Sequence, residues 1–232
     1  MKKKIVGSEA DGGFTLIEIL IAIFIFAVLI TTVFGSYRSV FSNTGTMDRN
    51  MDLYETGQNC LQRIIGDLES MHLSVPPTYS PPGFNEPQEP YRFVGVVDML
   101  GSSTFSRLRF ASLSHLPFFP DLRQGISEIV YYVRPSKDGH FKLKRSDNIY
   151  PFIYKYTKKK RIDPVLCEEI MKFDLKFYSH DGTEHDEWHS ESKAFNYETP
   201  KAVKIQIDLT NDLTSQSFET VVILPVNRRE NE

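Results

Sequence analysis

Cysteine is scarce in this chain. Cys60 and Cys167 are the only two in 232 residues, with no C-x-x-C pair and no zinc spacing, which excludes a metal-stapled fold. Two states remain open for the pair. A disulfide in an oxidising compartment would close a long loop worth roughly 4–5 kcal/mol, whereas buried free thiols are the commoner state for cysteines inside predicted elements. A surplus of charge is missing too: 27 Lys and Arg stand against 30 Asp and Glu, so nothing in the totals favours a nucleic-acid partner. The sequence also lacks G-x-S-x-G, a Walker glycine loop and a dinucleotide fingerprint, and with them the common signatures of an enzyme or a cofactor site. Between Phe14 and Phe34 there is no Lys, Arg, Asp, Asn or Pro at all.

That last absence defines what is present. FTLIEILIAIFIFAVLITTVF is 21 residues long with one acid, Glu18, and is long enough to cross a bilayer. Lys2, Lys3 and Lys4 precede it, so the basic end should stay cytoplasmic and send the C-terminal bulk across the membrane. A secretory signal peptide would carry a small-residue cleavage site after its apolar core, but here the core is too long and no A-x-A follows. A Gly12-Gly13 pair stands instead directly before Phe14. A cut there would leave the apolar helix on the mature chain with Phe14 as its amino terminus. An acid in hydrocarbon costs about 2.5–3.5 kcal/mol, so Glu18 needs compensation. It lies one helical turn from Phe14, where it could meet a positive charge at the helix start of a neighbouring copy.

The stretch Gly13-Phe14-Thr15-Leu16-Ile17-Glu18-Ile19-Leu20 resembles the cleavage and methylation motif of type IV pilins and type II secretion pseudopilins. The resemblance implies cleavage between Gly13 and Phe14 by a prepilin peptidase, N-methylation of Phe14, and a role for Glu18 in pairing with the amino terminus of a neighbouring subunit. It covers about a tenth of the chain.

Beyond Phe34 no proline occurs until Pro76, and apolar residues at Met47, Met51, Tyr54, Leu61, Ile64, Ile65, Leu68 and Met71 recur at helical spacing. Asp48, Arg49, Asp52, Glu55, Arg63, Asp67 and Glu69 fall mainly on other faces, so an amphipathic helix is expected to about residue 71, with Gly35 and Asn43-Thr44-Gly45 as weak points. Six prolines between Pro76 and Pro90 end it in a semi-rigid connector. Short runs rich in β-branched and aromatic residues follow at 91–100, 107–111, 126–134, 141–145, 171–179, 202–209 and 218–224. Lys137-Asp138-Gly139 and Asp181-Gly182 mark hairpins. No strand–helix–strand alternation appears. The expected fold is therefore α+β, a long N-terminal helix packed on one antiparallel sheet as in pseudopilins. The expected segments are a cleaved leader (1–13), a membrane helix (14–34), a periplasmic amphipathic helix (35–75), a Pro-rich connector (76–90) and a periplasmic β domain (91–232).

Within that family the chain is most similar to the J-type minor pseudopilins of type II secretion. It has Leu143-Lys144-Arg145 ending a hairpin, Trp188, and Pro200-Lys201-Ala202-Val203 before a late strand, in the same order as in that group. It departs from their pattern in having one tryptophan in that stretch and a threonine at Thr199. The resemblance implies a subunit at or near the tip of a periplasmic filament that drives protein export, anchored in inner-membrane lipid. Its partners would be I- and K-like pseudopilins and the major G-like subunit. K-type subunits typically lack the glutamate that Glu18 matches. A minor pilin of a type IV pilus or competence system is the alternative, and a membrane-tethered periplasmic enzyme or sensor is the alternative of another class. For the latter the best candidate is His180, Asp181, Glu184, His185, Asp186, Glu187 and His189. His185 and His189 are spaced as in H-E-x-x-H, but Asp186 stands where the Glu is needed and Asp181-Gly182 argues for a turn, so no metal is expected. The acids match no EF-hand spacing. The run Lys158-Lys159-Lys160-Arg161 reads as an exposed charged loop.

Overall fold

The computed structural model of the protein describes residues 14–76, 78–83, 85–117, 123–150, 163–211 and 214–229, without the side chains of 39–50. The leader, with Gly13 and the three lysines, and the basic run 158–161 lie outside the described residues. The chain divides into two compact units, Met1–Asn50 and Met51–Glu232.

Helix α1 spans Leu16–Glu69. Its backbone stays helical through the weak points at Gly35 and 43–45, since neither site carries proline and a lone glycine costs only about 1 kcal/mol. In the first unit the described side chains are exposed all round, as an apolar helix without a protein partner must be. From residue 51 onward the same helix has one buried stripe: Leu53, Gly57, Cys60, Leu61, Ile64, Asp67 and Leu68. The stripe is rotated from the one expected. Met51 and Tyr54 are half or more exposed, and Asp67, expected outside, is fully buried. Gly57 belongs to the stripe because a Cβ there would collide with the ring of Phe218.

Among the described residues eleven strands follow, in two antiparallel sheets where one was expected. The strands of the larger sheet are β1 (Met71–His72), β2 (Val94–Leu100), β3 (Ser103–Ser112), β4 (Ser127–Pro135), β5 (Phe141–Ile149), β6 (Val165–Cys167) and β9 (Trp188–His189). They are ordered β6-β5-β4-β3-β2-β9, with β1 on β3. The smaller sheet is β11-β10-β7-β8, from β7 (Ile170–Tyr178), β8 (Glu184–His185), β10 (Ala202–Thr210) and β11 (Ser215–Ile223). The chain leaves the first sheet at Glu169, whose φ of 58° is left-handed, so β6 and β7 are close in sequence but sit in different sheets. β7 alternates as the long strands of the first sheet do, so the pattern alone did not reveal the break.

Both sheets and the helix stripe share one core. Phe110, Ile129, Tyr131 and Leu143 come from the large sheet, and Phe173, Leu175, Phe177, Val203, Ile205, Ile207 and Leu209 from the small one. The sheets meet where Gly95 admits the ring of Phe177 and where Ser106 accepts the Leu175 amide at 2.9 Å. Cys60 on the helix and Cys167 on β6 form a disulfide, with Cα atoms 6.2 Å apart. The free-thiol expectation is thus corrected: burial and pairing coincide, because both cysteines face the same core.

Candidate functional site

Two groups of residues could carry function: the start of α1 and the polar clusters that hold its far end. At the start, the Thr15 carbonyl accepts from the amides of Glu18 (3.1 Å) and Ile19 (3.3 Å), closing the first turn. Glu18 lies in that first turn, where the positive end of the helix dipole favours a carboxylate. Phe14 is 79% exposed, and the chain offers Glu18 no partner of its own among the described residues. Leu16–Arg38 is a 23-residue candidate membrane span with none of its surface buried by the chain. Its two interior threonines suit hydrocarbon: Thr31 donates to the Ala27 and Val28 carbonyls and Thr32 to those of Val28 and Leu29, so both threonine hydroxyls are paired.

At the other end of the helix, Asp67 anchors a buried ion cluster. It accepts from Arg63 one turn earlier (2.7 Å), from Arg145 on β5 (2.6 Å), and from the hydroxyls of Tyr131 on β4 and Ser114. Arg145 also donates to Asp147 (2.7 Å), which binds His115 (2.6 Å) and the Leu116 amide (3.0 Å). Burial pushes the Asp147 carboxyl up, but the Leu116 amide, His115 and Arg145 outweigh it and hold it below the usual carboxylate range. Burial and the neighbouring Asp67 carboxylate push the Tyr131 phenol well up, so it stays a donor. The signal was visible in β5, where Phe141, Leu143, Arg145, Asp147 and Ile149 share one face and two opposite charges sit in an apolar row.

A second cluster centres on Arg228 near the C-terminus. Its guanidinium lies 3.5 Å from the centroid of the Tyr79 ring and donates to Glu191 and the Ser190 carbonyl (both 2.5 Å) and to the Tyr197 carbonyl (2.8 Å). Burial pushes the Tyr79 phenol up to about 12. The unexpected Thr199 closes this cluster, exchanging hydrogen bonds with the Arg228 backbone. These groups clamp the Pro-rich connector through Tyr79.

The histidine segment disperses. His180 accepts from Arg229, His185 packs edge-on against Trp188 and Phe195 (5.4 Å each), and His189 accepts the Glu191 amide from within β9. Burial pushes His180 and His189 below the usual histidine value. Asp181 closes its own turn with Ser179 and Thr183, Asp186 pairs with Lys176, and Glu187 accepts the Val97 amide. Among the described residues no three potential ligands converge.

The arrangement is that of an α+β protein led by a long helix, whose first part is long and apolar enough to cross a membrane. Comparison with known families matches residues 10–34 to the prokaryotic N-terminal methylation motif, so the chain carries the N-terminal motif of type IV pilin-like proteins. No curated protein matches the chain.

Proposed function

We propose that the protein is a minor pseudopilin of a type II secretion system: a structural, non-enzymatic subunit of the periplasmic filament, at or near its tip. The observation that carries this reading is the methylation motif running without interruption into a helix whose later half packs on an antiparallel β unit. In this reading a prepilin peptidase cuts between Gly13 and Phe14, Phe14 is N-methylated, and Glu18 pairs with the amino terminus of a neighbouring subunit. The expected partners are I- and K-like pseudopilins and the major G-like subunit. The C-terminal unit lies in the periplasm and the helix start in the inner membrane, and the Cys60–Cys167 disulfide supports an oxidising compartment.

The secretion assignment within the pilin-like class is supported by the places its short motifs occupy. Arg145 organises the buried ion cluster, Trp188 is buried with its indole donating to the Glu198 carbonyl (3.0 Å), and Pro200 to Val203 leads into β10. Intact-mass measurement of the protein from its native membrane tests the processing: residues 1–13 absent and one methyl added. A retained leader, or cleavage after Phe34, refutes the reading. Recovery of I- and K-like subunits with the tagged chain, rather than pilus components, tests the secretion assignment.

A further inference from the structure

The chain contains one Asp-Pro bond, Asp163–Pro164, just before β6. In this pairing the aspartate side chain can close on its own carbonyl carbon through a five-membered ring, with no encounter to arrange. Proline then leaves as a secondary amine, a basic group that takes up a proton readily. Such a bond is labile by its chemistry, and the fold decides whether it is shielded or presented.

Here a cross-strand pair grips it on both sides. Tyr132 on β4 stands directly opposite Lys144 on β5. The Tyr132 hydroxyl donates to Asp163 Oδ2 (2.6 Å), and Oδ1 has no partner among the described residues. Burial and the Asp163 carboxylate push the Tyr132 phenol up, so it remains a donor. The Lys144 ammonium donates to the Asp163 carbonyl oxygen (3.2 Å), not to the carboxylate. Its charge therefore sits where negative charge develops when that carbonyl is attacked, and the attacking group is left outside a salt bridge. The Arg145 amide donates to the Pro164 carbonyl (3.2 Å) and fixes the leaving side. Asp163 and Tyr132 also line a solvent-open cleft of about 480 Å3, so water reaches the bond.

We infer that Asp163–Pro164 is a self-cleavage site. Asp163 Oδ1 attacks the Asp163 carbonyl carbon and forms a cyclic anhydride as the C–N bond to Pro164 breaks. The Pro164 nitrogen takes a proton from solvent and leaves as a secondary amine. One water then opens the anhydride and restores the side-chain carboxylate beside a new terminal one. The products are a chain ending at Asp163 and a chain beginning at Pro164, and they stay joined because Cys60 lies in the first and Cys167 in the second. The step occurs once per molecule and uses no external substrate but water. The inference does not depend on the secretion assignment.

The test holds the full chain, disulfide intact, in detergent micelles in mildly acidic buffer and follows its intact mass. Without reductant the mass should rise by one water; with reductant the same sample should separate into fragments ending at Asp163 and beginning at Pro164. The same chain in urea distinguishes a built site from an ordinary labile bond: the folded chain should cut at least about tenfold faster. Lys144→Met should slow the folded chain about 10²–10³-fold, whereas Lys144→Arg keeps a donor and most of the rate. Tyr132→Phe, which removes only a hydroxyl, should slow it about tenfold, and Asp163→Ala should abolish the cut. Trp188 fluorescence reports that each variant is folded. An uncut folded chain after weeks, a folded rate no faster than that in urea, or the native rate in both Lys144→Met and Tyr132→Phe overturns the inference.

Discussion

Replacing Arg145 with methionine removes the one cation that bridges Asp67 and Asp147 while keeping the side-chain volume. Arg145 donates twice to Asp67, at 2.6 and 3.3 Å, once to Asp147 at 2.7 Å, and once to the Ser114 carbonyl at 3.2 Å. Asp67 is 0% exposed, so its carboxylate cannot turn to water when the guanidinium is lost. Breaking a buried pair from one side costs about 3–5 kcal/mol. Asp67 retains Arg63 and two hydroxyls, and Asp147 retains His115 and the Leu116 amide, which puts the expected loss near the lower bound, about 3 kcal/mol. That is a large share of the roughly 5–15 kcal/mol by which a domain is stable. The assay is urea unfolding of the disulfide-intact full chain in detergent, followed by Trp188, the sole tryptophan and 2% exposed.

Two further readings make the test specific. Adding Asp67→Leu to Arg145→Met should recover part of the loss, giving a coupling of about 0.5–3 kcal/mol between the sites, because Arg63 is partly exposed and can pair with water instead. The pH dependence has a definite sign. The Asp147 carboxyl is depressed in the folded state relative to an unfolded value of about 3.9, so its contribution is present above that pH and disappears as pH falls through the folded value. The gap between the native chain and Arg145→Met should therefore be constant near neutrality and narrow in acid below pH ~4. A loss under about 1 kcal/mol at neutral pH, or a gap that widens in acid, would refute the view that Arg145 holds the helix end to the sheet.

Reducing the Cys60–Cys167 disulfide, which spans 107 residues, should lower stability by roughly 4–5 kcal/mol, read as a shift of the urea midpoint with and without reductant. Gly95→Ala puts a methyl into the ring of the fully buried Phe177 and should cost about 1–3 kcal/mol, partly relieved by Phe177→Leu; Gly66→Ala, with open space around it in a helix, should instead stabilise by about 0.5–1 kcal/mol in the same assay. Under the proposed secretion role, Glu18→Ala should leave the C-terminal unit folded by Trp188 fluorescence while reducing incorporation into the proposed filament and hence secretion; normal secretion by that variant would count against the pairing role.

What was legible in the sequence was whatever rests on local periodicity and spacing. The 21-residue apolar run and the methylation motif over residues 10–34 need no tertiary partner to be recognised, because both are read from contiguous residues. The seven principal strands were visible through their alternation, as were the hairpin turns at Gly139 and Gly182, whose φ values of 83° and 92° call for glycine.

Tertiary structure alone decided the rest. It rotated the helix stripe so that Met51 and Tyr54 face outward and Asp67 inward, because Asp67 meets Arg145 from 78 residues away and a charge is buried only where such a partner waits. It placed β6 and β7 in different sheets across Glu169, a single left-handed residue that no alternation pattern marks. It brought Cys60 to Cys167. Period and spacing belong to the chain, whereas pairing across the core depends on which distant groups can satisfy each other once water is gone.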